Sequence, residues 1–200
     1  HRHIAYLGEY TDHAGTAGRA RLDGLRGIYG PDPAQSSVTP LLLRMGRLDL
    51  YEERERQAFL RRAARAVPTA DPLLRETLSR MHDDLGYRLR HQLLYRAIAP
   101  HMRGVLRDPR VTAVVAYNDL YALACSRILR DMRVRVPQRI SLVGFDDTPD
   151  AFYEGISSYN FNGEEAIRIL VAHVTAGHHS PHTPPTVSEP EGFLTHRESV

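Results

Sequence analysis

The sequence contains no lysine; all 26 of its Lys+Arg positions are arginine. That removes Schiff-base chemistry and a phosphate-loop lysine from the mechanisms open to it. Its single cysteine, Cys125, cannot close an internal disulfide and fits a reducing compartment. Cys125 lies in the helix-forming stretch Ala122-Leu123-Ala124-Cys125-Ser126, where a small buried core residue is expected rather than a nucleophile. Long apolar runs are also missing. The longest, such as Val111–Tyr117, are far too short to span a bilayer. The opening His1-Arg2-His3-Ile4-Ala5-Tyr6 lacks the apolar stretch of a signal peptide. Formal charge is only +2, with acids and bases interspersed and no basic block of five or more. Nucleic-acid binding by this segment itself is therefore not expected.

What is present suits a folded domain. Two hundred residues with 42% hydrophobic content allow one large domain or two small subdomains. Strand-like and helix-like segments alternate. Ile4–Leu7 is a short apolar run ending at Gly8, and a helical stretch follows from about Thr16 to Ile28. Val111–Ala116 is a continuous run of β-branched and small apolar residues, as a strand buried on both faces requires. Leu120–Met132 has helical periodicity, with Asp119 placed to cap it. Ile140–Phe145 is the next buried strand and stops at Asp146-Asp147. In the arginine-rich middle, Tyr51–Ala66 and Tyr87–Leu106 read as helices, the second interrupted near Pro100, and Leu73–Leu78 as a short strand. Pro31–Leu50 holds three prolines and no clean period, which predicts an inserted loop. Glu164–Ala176 is a further helix ended by Gly177, His178–Pro185 a polar linker, and Gly192–Arg197 a last short strand.

This alternation predicts an α/β fold with a doubly wound parallel sheet. In such sheets ligands bind outside the carboxyl ends of the strands. Gly8-Glu9-Tyr10, Asn118-Asp119 and Asp146-Asp147 all follow strand-like runs, so neighbouring strands would bring them to one crevice. Amide and carboxylate groups there make directional hydrogen bonds to hydroxyls. Tyr10, Tyr117 and Phe145 could stack on the C–H face of a sugar.

Four segments resemble one family. Val111-Thr112-Ala113-Val114-Val115-Ala116-Tyr117-Asn118-Asp119 and the following Leu-Tyr-Ala-Leu-Ala resemble the "AxND-x-x-A" segment of LacI-family transcription regulators. Val134–Asp147, reading VRVPQRISLVGFDD, is similar to that family's "VP-x-x-(I/V)S(V/L)VGFDD". The opening His1–Gly8 is similar to its "HRRIAFIGG", and His196–Val200 to its "VRES" terminus. The resemblance is clear over about Val111–Asp150, a fifth of the chain, and patchy elsewhere. It implies a periplasmic-binding-protein-like fold of two α/β subdomains around a cleft, of which this chain holds mainly one. Residues 1–150 would be the C-terminal subdomain, with 31–50 inserted. Residues 151–185 would be a crossover strand, helix and linker, and 186–200 a terminal strand returning to the same subdomain. By analogy the Ile156–Ala176 strand and helix would belong to the other, absent subdomain. The helix would then expose Ile167, Leu170 and Val171. The family's "LTT(V/I)xQP" crossover is replaced here by Ile156-Ser157-Ser158-Tyr159-Asn160-Phe161-Asn162. That departure, with the insertion, resembles sensors of this type fused to a GntR-style winged-helix head.

The resemblance implies site residues. Arg21 matches the second arginine of the family's "R-x-R-x-x-G" helix, here Arg19–Gly24, and its fork can donate to two adjacent hydroxyls. A surface arginine is the competing reading, and Arg54 and Arg56 are rivals. Asn118 could donate to and accept from a hydroxyl, or simply cap a helix. Asp146 could accept from two hydroxyls, or make a structural turn; Asp147 is expected to stabilise that turn. Tyr159, Asn160 and Phe161 sit where the crossover lines the cleft, as ligand contacts or hinge packing. The 11 histidines include His178, His179 and His182, but no acid or cysteine at zinc-like spacing accompanies them, so a solvated linker is expected, with no metal and no cofactor. No paired carboxylates or nucleophile–base set marks an enzyme. The expectation is therefore a cytoplasmic sensor for a sugar or related small effector. It would act as a homodimer and reach DNA only through a head outside these residues. A sugar-binding protein for transport is the alternative, and the sequence ahead of His1 would separate the two.

Overall fold

The computed structural model describes residues 1–9, 17–29, 32, 34–43, 54, 57, 58, 61, 90–175 and 189–200. Tyr10, Arg56, the Leu73–Leu78 segment and the His178–Pro185 linker lie outside them. Along the chain run β1 (His3–Glu9), α1 (Ala17–Ile28), β2 (Ser37–Leu43), a helix over residues 90–105 (α2), β3 (Val111–Ala116) and α3 (Asp119–Asp131). They are followed by β4 (Ser141–Phe145), α4 (Pro149–Tyr153), β5 (Ser157–Asn160), α5 (Gly163–Thr175) and β6 (Phe193–Thr195).

The strands form one six-stranded sheet in the order β2-β1-β3-β4-β5-β6, parallel except for β6, which runs antiparallel to β5 at the edge. The chain steps outward from β1 to β2, then returns to the other side of β1 as β3. That reversal puts a topological switch point at the carboxyl ends of β1 and β3, where doubly wound sheets hold ligands. Strand alternation divides the buried side chains. Ala5 and Leu7 join a core with Leu94, Ile98 and Met102 of α2 and with Ala122, Cys125, Ile128 and Leu129 of α3. Tyr6, pointing the other way, donates from its hydroxyl to the Gly18 carbonyl of α1 (2.9 Å). Cys125 is fully buried, and burial pushes its thiol up to about 12, so it is a core residue and not a nucleophile at neutral pH.

Four expectations are corrected. The stretch read as an inserted loop carries β2, paired with β1 from His3↔Ser37 to Glu9↔Leu43. Its Pro40 hid the strand, but β2 is the outer strand, where a residue lacking an N–H is tolerated. Residues 90–105 stay helical through Pro100. The stripe Leu94, Ile98, Met102 and Val105 is buried at helical spacing, and its packing offsets the hydrogen bond that proline removes. The cap of α3 is Asn118, not Asp119: Asn118 Oδ1 accepts from Tyr121 N (3.1 Å). β5 does not leave the sheet but pairs with β4, Val143↔Ser157 through Phe145↔Tyr159. Its α5 does expose an apolar face, with Ile167, Leu170, Val171 and Val174 open to solvent and no residue of the helix buried.

Candidate effector site

Three chain segments converge at the carboxyl ends of β3, β4 and β5. Tyr117 N donates to the Leu7 carbonyl (2.7 Å), which carries the β1–β3 pairing one residue past the end of β3. α1 lies close by because Gly18 has no side chain: a Cβ there would stand 3.2 Å from the Tyr117 ring. This approach places Arg21, one turn later on α1, over the strand ends. Arg21 Nη1 donates to the Tyr117 carbonyl (2.7 Å), and Nη2 stands 3.9 Å from Asp146 Oδ1.

The guanidinium is set among aromatic rings. Its carbon is 4.9 Å from the Tyr117 centroid, 4.6 Å from Phe145 and 5.3 Å from Phe161. Such contacts favour the cation by about 0.5–2 kcal/mol each, more as water is excluded. Phe145 and Phe161 stack at 6.1 Å, and Tyr159 meets Phe161 edge-on at 5.1 Å. Arg21 is thus held by its rings and one carbonyl, with its side chain 16% exposed, while Asp146 is 44% exposed. A rigid donor fork, an accessible carboxylate and exposed aromatic surface at Phe161 lie side by side.

Of the residues expected to form the site, Arg21, Asp146, Tyr159 and Phe161 are brought together, with Tyr117 and Phe145 among them. Asn118 adjoins Tyr117, but its Oδ1 is committed to capping α3. Tyr10 is outside the described residues, and Arg54 is exposed on a separate segment.

Behind this surface is a polar cluster that sequence reading missed. Asp119 is fully buried. Its Oδ1 accepts from Ser158 Oγ (2.6 Å) and its Oδ2 from Thr148 N (2.7 Å), tying α3 to β5 and to the start of α4. Burial raises the Asp119 carboxyl above its usual range, and the Ser158 and Thr148 hydrogen bonds only partly oppose this. Gly144 makes room for it: a Cβ there would fall 2.1 Å from Asp119 Oδ1. Ser158 Oγ also accepts from Asp147 N (3.0 Å). Asp147 turns inward and accepts from Asn160 Nδ2 (2.8 Å), Thr195 Oγ1 (3.0 Å) and Arg197 Nη2. Burial alone would raise its carboxyl, but those donors outweigh it and hold it below its usual value. The Asp-Asp pair was visible in the sequence. Its inward partners come from segments 11 to 50 residues away, which no local pattern reports.

The Periplasmic binding protein-like domain family matches residues 1–200. The HTH-type transcriptional regulator CelR of Thermobifida fusca is 38% identical over 81 residues, covering 37% of this chain and 24% of CelR. The HTH-type transcriptional regulator GalS of Salmonella typhimurium is 43% identical over 47 residues, 24% of this chain and 14% of GalS. Among solved structures, the CelR–cellobiose complex matches at 25% identity and TM-score 0.52, covering all of this chain and 47% of that one. A LacI family regulator from Enterococcus faecalis with bound ribose matches at 13% identity and TM-score 0.59, covering all of this chain and 54% of that one. At that identity the likeness shows the fold alone. The chain spans about half the length of these solved relatives and a quarter or less of the curated ones. The resemblance to LacI-type effector-binding domains read from the sequence holds. The sheet, its reversal of strand order and the match over the whole chain agree, and the chain belongs to the periplasmic binding protein-like domain family.

Proposed function

We propose that this chain is part of the ligand-sensing domain of a sugar-responsive transcription regulator working in the cytoplasm. The observation that carries the reading is the Arg21–Asp146 pair beside Phe145, Tyr159 and Phe161 at the strand ends. Arg21 donates to adjacent hydroxyls, Asp146 accepts from them, and Phe161 offers its face to the sugar's C–H surface. Asn118 contributes its amide N–H₂, and Tyr10, which follows Glu9 in the sequence, is a further ligand contact in this reading. The relatives named as regulators include one solved with cellobiose, which favours sensing over transport. No catalytic role is assigned to any of these side chains. The effector acts by favouring one of two arrangements of the sensor, and DNA is contacted by a head outside these residues.

The partner is a second copy of the chain, docked through α3 and α4. Phe152 and Tyr153 are exposed there at 64% and 81%. Beside them a groove of about 440 Å³ is lined by Leu123, Arg127, Arg130, Asp150, Tyr153 and Glu154, among others. Mixed charges of this kind can complement themselves across a twofold axis.

The test is a thermal-shift screen of cellobiose, lactose, ribose and other pentoses, hexoses and their phosphates. It uses the complete protein that carries these residues. A rise in melting temperature with a sugar, absent in Arg21→Ala, is expected. Stabilisation only by a different ligand class would refute the reading. Sedimentation of wild type against Tyr153→Asp tests the dimer: an unchanged association state would count against the α3–α4 face.

A further inference from the structure

We propose that Asp147 and Arg197 are positioning residues for the effector, holding the β4–α4 turn in the conformation that presents the Asp146 carboxylate to the site. The proposal rests on the reading of Asp146 as an effector ligand.

The turn is strained. Asp146 and Asp147 have φ of 98° and 50°, two successive non-glycine residues at positive φ. Such backbone persists only where the surroundings over-determine it. Here every N–H of the turn is fixed by another segment. Asp146 N donates to the Tyr159 carbonyl (3.0 Å), Asp147 N to Ser158 Oγ (3.0 Å) and Thr148 N to Asp119 Oδ2 (2.7 Å). These bonds fix where the turn lies. The Asp147 carboxylate decides which way it faces, by drawing three donors inward from β5, β6 and the segment after it.

Arg197 is the charged member of that set, and it is anchored in turn. Its Nη1 donates to the Ile156 carbonyl (2.7 Å) and its backbone N to Ser157 Oγ (2.9 Å). Two residues on, Ser199 fills the gap between β4 and β5, donating to the Leu142 carbonyl (2.6 Å) and accepting from Ser157 N (2.8 Å). Both side chains of the Asp147–Arg197 pair are only 12% exposed, so the pair is shielded from solvent screening. One carboxylate of the Asp-Asp dipeptide is locked inward, and its neighbour is thereby turned out toward Arg21.

The experiment measures the affinity of whichever of cellobiose, lactose or ribose the complete protein binds. It compares wild type, Asp146→Ala, Asp147→Asn, Arg197→Met, Arg197→Lys and the double variant Asp146→Ala/Asp147→Asn. All are assayed well below their melting temperatures. Asp147→Asn and Arg197→Met are expected to weaken binding about tenfold or more, although neither side chain touches the sugar. Arg197→Lys, which keeps the charge and is the mildest change for folding, should recover part of the loss. The double variant should bind no worse than Asp146→Ala alone, because Asp147 acts only through Asp146. A lowered melting temperature with unchanged affinity in Asp147→Asn and Arg197→Lys overturns the proposal, as does full additivity in the double variant. If Asp146→Ala binds like wild type, or wild type binds none of the sugars, the sensing reading fails first and the positioning role with it.

Discussion

Arg21 and Asp146 face each other at 3.9 Å from elements that are 125 residues apart, α1 and the end of β4. They make a contact too long for a hydrogen bond, while Arg21 spends one N–H on the Tyr117 carbonyl at 2.7 Å. In the function proposed above, the effector's hydroxyl groups bridge the remaining donors and the half-exposed carboxylate.

Arg21→Lys is the sharpest test of this geometry. Lysine keeps the charge but loses the planar fork and its fit among the rings. Loss of one charged hydrogen bond, about 1.5–3 kcal/mol, corresponds to about ten- to a hundredfold weaker sugar binding. Calorimetry on wild type and variant would measure it, and equal affinities would remove Arg21 from the site.

Gly144→Ala should destabilise the fold by about 1–3 kcal/mol, because its methyl group must displace a buried, hydrogen-bonded carboxylate. The Cβ would lie 2.1 Å from Asp119 Oδ1 and 3.2 Å from its Cα. Urea unfolding gives the value directly, and an unchanged midpoint would mean that Asp119 can move freely.

Asp119 and Asp147 predict opposite pH responses. The Asp147 carboxyl is held below its ordinary value of 3.8, so the folded state binds this proton less readily than the unfolded chain. Its contribution to stability is complete above 3.8 and is lost as pH falls through the lowered value. The Asp119 carboxyl is raised above 3.8 by burial, so the folded state takes up that proton more readily. Its effect is a stability loss as pH climbs from 3.8 through the raised value. Asp147→Asn should therefore narrow its stability gap to wild type below that point. Asp119→Asn should show the reverse trend, with the gap widening toward acid. Chemical unfolding from pH 3 to pH 7 would show parallel curves for wild type and both variants if neither shift is real.

Leu170→Ser on α5 should change the stability of this 200-residue chain by no more than about 0.5 kcal/mol, as for other exposed sites. Leu129→Ala in the core should cost about 2–5 kcal/mol. Leu170 is 61% exposed and Leu129 fully buried, although both are leucines on amphipathic helices. Thermal melts of the two variants would show the contrast; a comparable loss in both would mean that α5 is covered.

The sequence alone determined the elements whose signals are local. Val111–Ala116 and Ser141–Phe145 are strands because continuous β-branched and apolar runs can be buried on both faces. α3 follows from its helical period and polar start. The strand-end rule places Asp146 at the carboxyl edge of the sheet, whereas Arg21, Tyr159 and Phe161 come from the family resemblance and not from any local pattern. The apolar face of α5 was likewise legible from Ile167, Leu170 and Val171.

Only the tertiary structure decided the rest. Ser37–Leu43 is a strand because β1 offers it a full row of partners, which outweighs Pro40 at an outer position. Asn118 rather than Asp119 caps α3 because Asp119 is drawn inward by Ser158 and Thr148. The two residues of Asp146-Asp147 look equivalent in sequence. They are told apart by Arg197, Asn160 and Thr195, since hydrogen bonds between distant segments leave no period or motif in the chain.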